Sequence, residues 1–314
     1  MTRAFVFPGQ GSQYIGMGKE LAAAFPEAKD VFARVDEALK QNLSKMIFEG
    51  PAEDLNLTEN TQPALMAVSM AVVEVLKKQG GVDFSKACAF MAGHSLGEYS
   101  ALTAAGVIKL EDTARLLKIR GTSMQKAVPV GVGAMAAILG MGWDDVVKLA
   151  ADAAQGEVCA AANDNSDGQV VISGHKAAIE RAIALASERG AKRALLLPVS
   201  APFHCALMEP AARAMEAALA ETAFSVPLMP IVTNVTAKAE NRPDTLKALL
   251  VDQITGMVRW RESVMWMRAQ GVSEAVELGA GKVLCGLIKR IEKDIACESV
   301  ETPAQVEGLI GKLS

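Results

Sequence analysis

The stretch Ala89-Phe90-Met91-Ala92-Gly93-His94-Ser95-Leu96-Gly97-Glu98-Tyr99-Ser100-Ala101-Leu102 decides how this chain is read. Its apolar beginning predicts a buried strand over 88–92, and the segment 96–105 predicts a helix. Between them, Gly-His-Ser-Leu-Gly fits a G-x-S-x-G elbow, a sharp strand-to-helix turn that lifts the central serine out of the core. Gly93 and Gly97 have no Cβ, so strand and helix can approach closely around a strained turn. The Ser95 hydroxyl then sits near a helix N-terminus, where free N–H groups and the helix dipole favour a developing negative charge. Ser95 is the candidate nucleophile; the alternative is a plain Gly-Ser turn.

Upstream, residues 4–7 form a short apolar strand stopped by Pro8. The following Gly9-Gln10-Gly11-Ser12-Gln13 is a glycine-rich turn that matches neither G-x-G-x-x-G nor the P-loop. Helices are expected over 18–25 and between 26 and 48. A long helix starts at Thr58, with Gln62, Pro63, Leu65, Met66, Val68, Val72, Val75 and Leu76 at helical spacing. Downstream, a helix over 111–126 carries Arg115, Lys118 and Arg120, and Pro129-Val130-Gly131-Val132-Gly133 reads as a linker.

The next seventy or so residues change rhythm. Strands are expected at 134–141, 158–162, 169–173 and 192–198, with helices at 144–154 and 176–189 and an Asn-Asp-Asn-Ser-Asp-Gly turn at 163–168. That βαββαβ order is the ferredoxin-like motif. Beyond it come a proline-containing loop at 200–204, helices at 208–221, 243–255, 261–269 and 283–291, and strands at 229–233 and 275–278. The fold class is therefore α/β: a hydrolase-like core with a short parallel sheet and an elbow serine, over 1–128 and 198–314. A ferredoxin-like small subdomain is inserted over 129–197.

Composition narrows the function classes. The formal charge of −4 argues against a nucleic-acid footprint, which needs concentrated basic surface. No run approaches the length of a membrane span, and the N-terminal apolar run is too short for a signal peptide. Five scattered cysteines without C-x-x-C spacing fit reduced thiols better than a disulfide framework or a metal site. A cytoplasmic monomer without a cofactor is expected.

A serine hydroxyl needs a base, and histidine titrates in the useful range. Of the three histidines, His94 adjoins Ser95, so its ring leaves the elbow in another direction and lines the pocket. His175 opens a helix of the insertion, where it caps the helix or faces solvent. His204, in the loop where the chain leaves the insertion, is the candidate base. No carboxylate stands out as a third member, and a carbonyl can hold the imidazole tautomer instead. The residues alone leave a Ser-His dyad with an unidentified acyl substrate.

Four blocks stand in order along the chain: Phe7-Pro8-Gly9-Gln10-Gly11-Ser12-Gln13, Gly93-His94-Ser95-Leu96-Gly97-Glu98-Tyr99-Ser100, Ser200-Ala201-Pro202-Phe203-His204, and Leu250-Val251-Asp252-Gln253 with Val258-Arg259-Trp260. In these blocks the chain resembles the malonyl-CoA:acyl carrier protein transacylases of type II fatty acid synthesis. The resemblance implies that Ser95 takes malonyl from coenzyme A as an ester while His204 acts as base and then acid. It further implies an oxyanion hole from the backbone N–H groups of Gln10 and Leu96, and a Gln253 main-chain carbonyl that holds His204. Arg120 would receive the malonyl carboxylate, Gln62 and Asn234 would line the site, and Phe203 is the residue that malonyl-selective members carry. Holo-acyl carrier protein would be the acceptor. The chain departs from the family's usual aromatic and proline at Asp164 and Asp167. An acyltransferase of a polyketide pathway, an acyl-thioester hydrolase and an inactive carrier-binding scaffold are the alternatives.

Overall fold

The apolar runs around the serine turn become neighbouring strands. In the computed structural model, which describes residues 2–199 and 201–313, β1 (Thr2–Phe7) and β2 (Phe90–Gly93) pair in parallel, with Phe7 beside Gly93. The remaining strands are β3 (Gly133–Leu139), β4 (Cys159–Ser166), β5 (Gln169–His175), β6 (Arg193–Leu196), β7 (Ile231–Val232), β8 (Ala239–Glu240), β9 (Val272–Leu278) and β10 (Ala296–Val300). Ser200, the first residue of the expected histidine loop, lies outside the described residues.

One sheet has the order β10-β9-β1-β2-β7-β8, parallel throughout except for β8 against β7. Side chains alternate across its central strands. Phe5, Phe7 and Met91 join the core beneath the Thr58–Lys78 and Leu96–Ala104 helices. Ala4, Val6 and Ala92 face Trp260, Val264 and Leu284 of the Trp260–Ala269 and Val283–Ile291 helices. With both faces covered, residues 4–7 of β1 and 90–92 of β2 are all apolar, as a buried parallel sheet requires. Ser95 follows the C-terminal end of β2, in the crevice where open α/β sheets place their ligands.

The second sheet is antiparallel, order β4-β5-β3-β6. Ala136, Ile138 and Ile172 on one face pack against Val146 and Leu149 of the Trp143–Ala154 helix and Ile179 of the Lys176–Glu188 helix. Met135 and Val171 on the other face belong to the core of the larger sheet. The smaller sheet is thus packed onto the larger one.

Three expectations are corrected. The polar run at 163–168 is not a six-residue turn: β4 extends to Ser166, leaving Asp167 and Gly168 to reverse the chain. Polar residues stay in a strand here because they have partners. Asp164 is ion-paired to Arg261, and Asn163 forms a bridge with Val258. Second, Cys285 and Cys297 are joined as a disulfide rather than left as free thiols. β10, absent from the sequence reading, lies parallel to β9 and brings the two Cα atoms to 5.3 Å. Third, the Pro303–Leu313 helix also escaped the reading.

Asp164 is the principal charge joining the two sheets. Its side chain is 1% exposed and both oxygens lie 3.0 Å from Arg261 Nε. Main-chain bonds from Val258 N to Ala162 O (2.9 Å) and from Asp164 N to Val258 O (3.0 Å) flank it. Removing the cation strands a buried carboxylate. Arg261→Ala is therefore expected to cost about 2 kcal/mol, read as a fall in the thermal midpoint. Adding Asp164→Asn should restore most of the loss; a double variant no more stable than the single one would refute the pairing.

Candidate active site

Ser95 sits as the N-cap of the Leu96–Ala104 helix with φ 53° and ψ −111°, a left-handed conformation that a side-chain-bearing residue rarely adopts. Its neighbours make the turn possible. A Cβ on Gly93 would lie 1.9 Å from the Gly97 carbonyl, and one on Gly97 would lie 2.3 Å from Phe7 O. The strained backbone is held from both sides: Ser95 N–H donates to Asn234 Oδ1 (2.7 Å), and Gln253 Nε2 donates to Ser95 O (3.1 Å).

The loop after β6 brings His204 to this serine. Its Nε2 is 2.8 Å from Ser95 Oγ, and its Nδ1 is 2.8 Å from Gln253 O and 3.2 Å from Gly256 O. Carbonyl oxygens only accept, so Nδ1 carries the proton and Nε2 is left to accept from the serine hydroxyl. Burial, reinforced by the Arg120 charge, pushes the imidazole down to about 3. At neutral pH it is a neutral acceptor.

Arg120 comes from the Leu110–Ala127 helix and is 1% exposed. Its Nη1 donates to Gln62 Oε1 (2.8 Å), and its Nη2 donates to Gln253 Oε1 (2.9 Å) and Ser95 Oγ (3.2 Å). Its guanidinium also stands 5.6 Å from the centre of the Tyr99 ring. Among the described residues all the acceptors on its Nη atoms are neutral, so a buried cation faces the cavity without a carboxylate in direct contact. A guanidinium offers parallel N–H groups that match a carboxylate in two bonds.

The cavity at Ser95 measures about 160 Å³ and is lined from both sheets. Gln10, Gln62, His94, Leu96, Arg120, Phe203 and His204 come from the larger unit, and Met135, Asn163, Asn165, Val171 and Leu197 from the smaller. His94 turns away from the serine: its Nε2 meets Asn165 Oδ1 at 2.7 Å and its ring packs beside Trp260. His94 N–H donates to Phe7 O (3.1 Å), which seats the residues after β1 against the elbow. Among the described residues neither the Gln10 nor the Leu96 main-chain N–H has an acceptor, whereas that of Ser95 is taken by Asn234. Gln10 and Leu96 both line the Ser95 cavity.

Asn234 is not part of the cavity lining. Its amide is consumed beneath the elbow, where Nδ2 donates to Gly93 O at 2.7 Å. His175 neither caps its helix through its side chain nor stands free, because its Nδ1 accepts from Val158 N–H. The sequence reading missed Asn165, hidden in what looked like a turn, and Glu98, whose signal was an acid in the first turn of an otherwise apolar helix. The larger groove, about 990 Å³ beside Cys285 and Cys297, contains none of the residues around Ser95.

The chain matches the acyl transferase domain family over residues 4–313. It is 50% identical over 301 residues, 96% of each chain, to the malonyl CoA-acyl carrier protein transacylase of Escherichia coli strain K12. Among solved structures it is similar to an acyl-carrier-protein-S-malonyltransferase from Bartonella henselae, with 54% identity, a TM-score of 0.98, and coverage of 100% of this chain and 99% of that one. It is also similar to a malonyl-transacylase solved in complex with a type II PKS acyl-carrier protein, with 43% identity, a TM-score of 0.96, and coverage of 99% and 100%.

The depressed basicity of His204 has a linkage signature. A histidine whose folded value lies below its unfolded one binds its proton less readily when folded, so stability is lost as pH falls. The stability of the native protein relative to His204→Gln is expected to rise between about pH 4.5 and about pH 6.5, by about 1.4 kcal/mol per pH unit, and then level off. Urea unfolding across that range checks this, and a difference that stays flat would mean the ring is not held neutral.

Proposed function

We propose that this chain, which belongs to the acyl transferase family, transfers a malonyl group from coenzyme A to the phosphopantetheine thiol of holo-acyl carrier protein, supplying fatty acid chain elongation. The observation that carries this reading is the pairing of Ser95 with His204, with the buried Arg120 bonded 3.2 Å from Ser95 Oγ in the same cavity. The names of its relatives supply the donor and the acceptor.

The geometry supports a two-stage reaction. Ser95 Oγ attacks the thioester carbonyl as its proton passes to His204 Nε2, and the amides of Gln10 and Leu96 receive the oxyanion. Collapse breaks the C–S bond, and His204 returns the proton to the departing coenzyme A sulfur. The carrier-protein thiol then repeats the sequence against the malonyl ester. Gln253 and Gly256 carbonyls hold the imidazole throughout. Every step is an acyl or proton transfer, so the scheme calls for no metal or cofactor. One chain supplies every residue named, which supports a monomer as the working unit, and we place it in the cytoplasm with its coenzyme A substrates. We read 129–197 as the ferredoxin-like insertion, a reading that the strand order β4-β5-β3-β6 supports, on a hydrolase-like core over 1–128 and 198–314.

Arg120 selects malonyl twice over. Its guanidinium offers the carboxylate two bonds, with Gln62 bonded to it and Phe203 lining the same cavity. Its charge also lowers the basicity of His204. A malonyl carboxylate neutralises that charge and restores the base, whereas an acetyl group does not.

Intact-protein mass after separate incubation with malonyl-CoA, acetyl-CoA and methylmalonyl-CoA tests the reading. The wild type should gain a malonyl adduct that holo-acyl carrier protein discharges, and Ser95→Ala should gain none. Arg120→Ala should lose malonyl transfer by about 30-fold or more while keeping or gaining acetyl, because an unpaired buried carboxylate costs about 2–5 kcal/mol. No adduct with any donor would overturn the mechanism, and an adduct that only water discharges would make the protein a hydrolase.

A further inference from the structure

Glu98 takes no part in these steps, yet it stands at their centre. It lies in the first turn of the Leu96–Ala104 helix and is 1% exposed. An acid at this position ordinarily reaches back to the N-cap amide. Here Asn234 is interposed: its Oδ1 takes the Ser95 N–H, and its own main-chain N–H donates to Glu98 Oε2 at 2.9 Å. The same oxygen accepts from Gln253 Nε2 at 2.9 Å, while Oε1 has no hydrogen-bond partner among the described residues.

The other end of the Gln253 amide accepts from Arg120 Nη2 at 2.9 Å. One neutral amide therefore separates a buried carboxylate from a buried guanidinium. The groups acting on Glu98 are few. Arg120 arrives from the Leu110–Ala127 helix and Tyr99 lies on its own helix. His204 stands beyond Gln253, bonded to that residue's main chain, and His94 acts on His204 in turn. Asn234 and Gln253 are neutral.

The charge count follows. At about pH 8, where Glu98 is mostly ionised, the cluster holds one cation and one anion, both out of water. A malonyl ester on Ser95 adds a second carboxylate opposite the same guanidinium. Two buried carboxylates cannot both stay ionised cheaply beside one cation, so the one with the weaker hold on its charge takes a proton. The malonyl carboxylate contacts the guanidinium directly, whereas Glu98 reaches it only through an amide. Burial already raises Glu98 to about 7.

We infer that esterification of Ser95 by malonyl is coupled to uptake of a proton by Glu98, so that the buried cluster keeps one cation and one anion. This rests on the transferase reading above. The bonds balance without a further reactant. The Oγ–C bond forms and the C–S bond breaks, the serine proton leaves on the coenzyme A sulfur through His204, and the extra proton comes from solvent onto Glu98. Transfer of malonyl to the carrier thiol returns it. An acetyl ester adds no charge and takes up no proton.

The test mixes the enzyme with malonyl-CoA in weakly buffered solution at about pH 8 with an indicator dye, and counts esters by intact mass in the same sample. The expected result, read relative to the acetyl ester so that ionisation of the freed coenzyme A thiol cancels, is between about half and one proton taken up per malonyl ester. Glu98→Gln, whose side-chain oxygen can accept both bonds now made to Oε2, should form the malonyl ester with no uptake beyond the acetyl baseline. Ester without uptake in the wild type overturns the inference, as does undiminished uptake in Glu98→Gln, which would assign the proton to His204. If that variant does not fold, the wild-type pH dependence decides. Uptake on Glu98 fades below about pH 6, where the carboxyl is already protonated, whereas uptake that grows there belongs to His204 and refutes the inference. If no malonyl ester forms, the transferase reading fails and this inference falls with it.

Discussion

The left-handed turn at Ser95 is the constraint that the rest of the molecule serves. A side-chain-bearing residue held there costs about 1–3 kcal/mol and persists only when its surroundings over-determine it. The surroundings do so in layers. Gly93 and Gly97 remove the atoms that would collide, β1 and β2 fix the direction of approach, and Asn234 and Gln253 hold the serine's own N–H and C=O. The central strands must therefore be buried on both faces, since only a rigid sheet can hold so tight a turn in place. The helix that follows supplies the free Leu96 amide as part of the same bend.

Around that turn the chemistry is arranged by neutral amides. Gln253 gives its main-chain carbonyl to His204, its side-chain oxygen to Arg120 and its side-chain nitrogen to Glu98. Moving this one residue would shift base, cation and anion together. The low polarity of the setting acts in opposite directions on its members. Burial makes the His204 imidazole harder to charge and the Glu98 carboxyl harder to ionise. Arg120 is the group that stays charged, and its field reaches both.

Much of this was legible in the sequence because it is local. The elbow, the strand ahead of it, the long helix from Thr58 and the alternation of the insertion all follow from short-range periodicity and glycine placement. His204 could be reached by elimination among three histidines. What escaped depends on contacts distant in the chain. Asn163, Asp164 and Asn165 look like a turn until Arg261, Val258 and His94 arrive as partners. The Cys285–Cys297 bond needs β10 laid beside β9. The placement of Asn234 beneath the elbow, rather than on the cavity wall, depends on backbone groups 139 and 141 residues away in the chain. Periodicity carries no information about such pairs.

The imidazole leans on two carbonyl oxygens where many serine enzymes place an acid. A carbonyl orients the ring but offers no negative charge to an imidazolium. The resulting base is weak, which matters most for what attacks the ester. A thiol gives up its proton near pH 8.5 and water near 15.7, so a feeble base can assist the first far more easily than the second. On the transferase reading proposed above, the neutral third member protects the malonyl ester from leaking to solvent during the wait for a carrier. Thrift in the use of activated acyl groups is then a property of the acceptor opposite His204 Nδ1, not of any lid over the cleft.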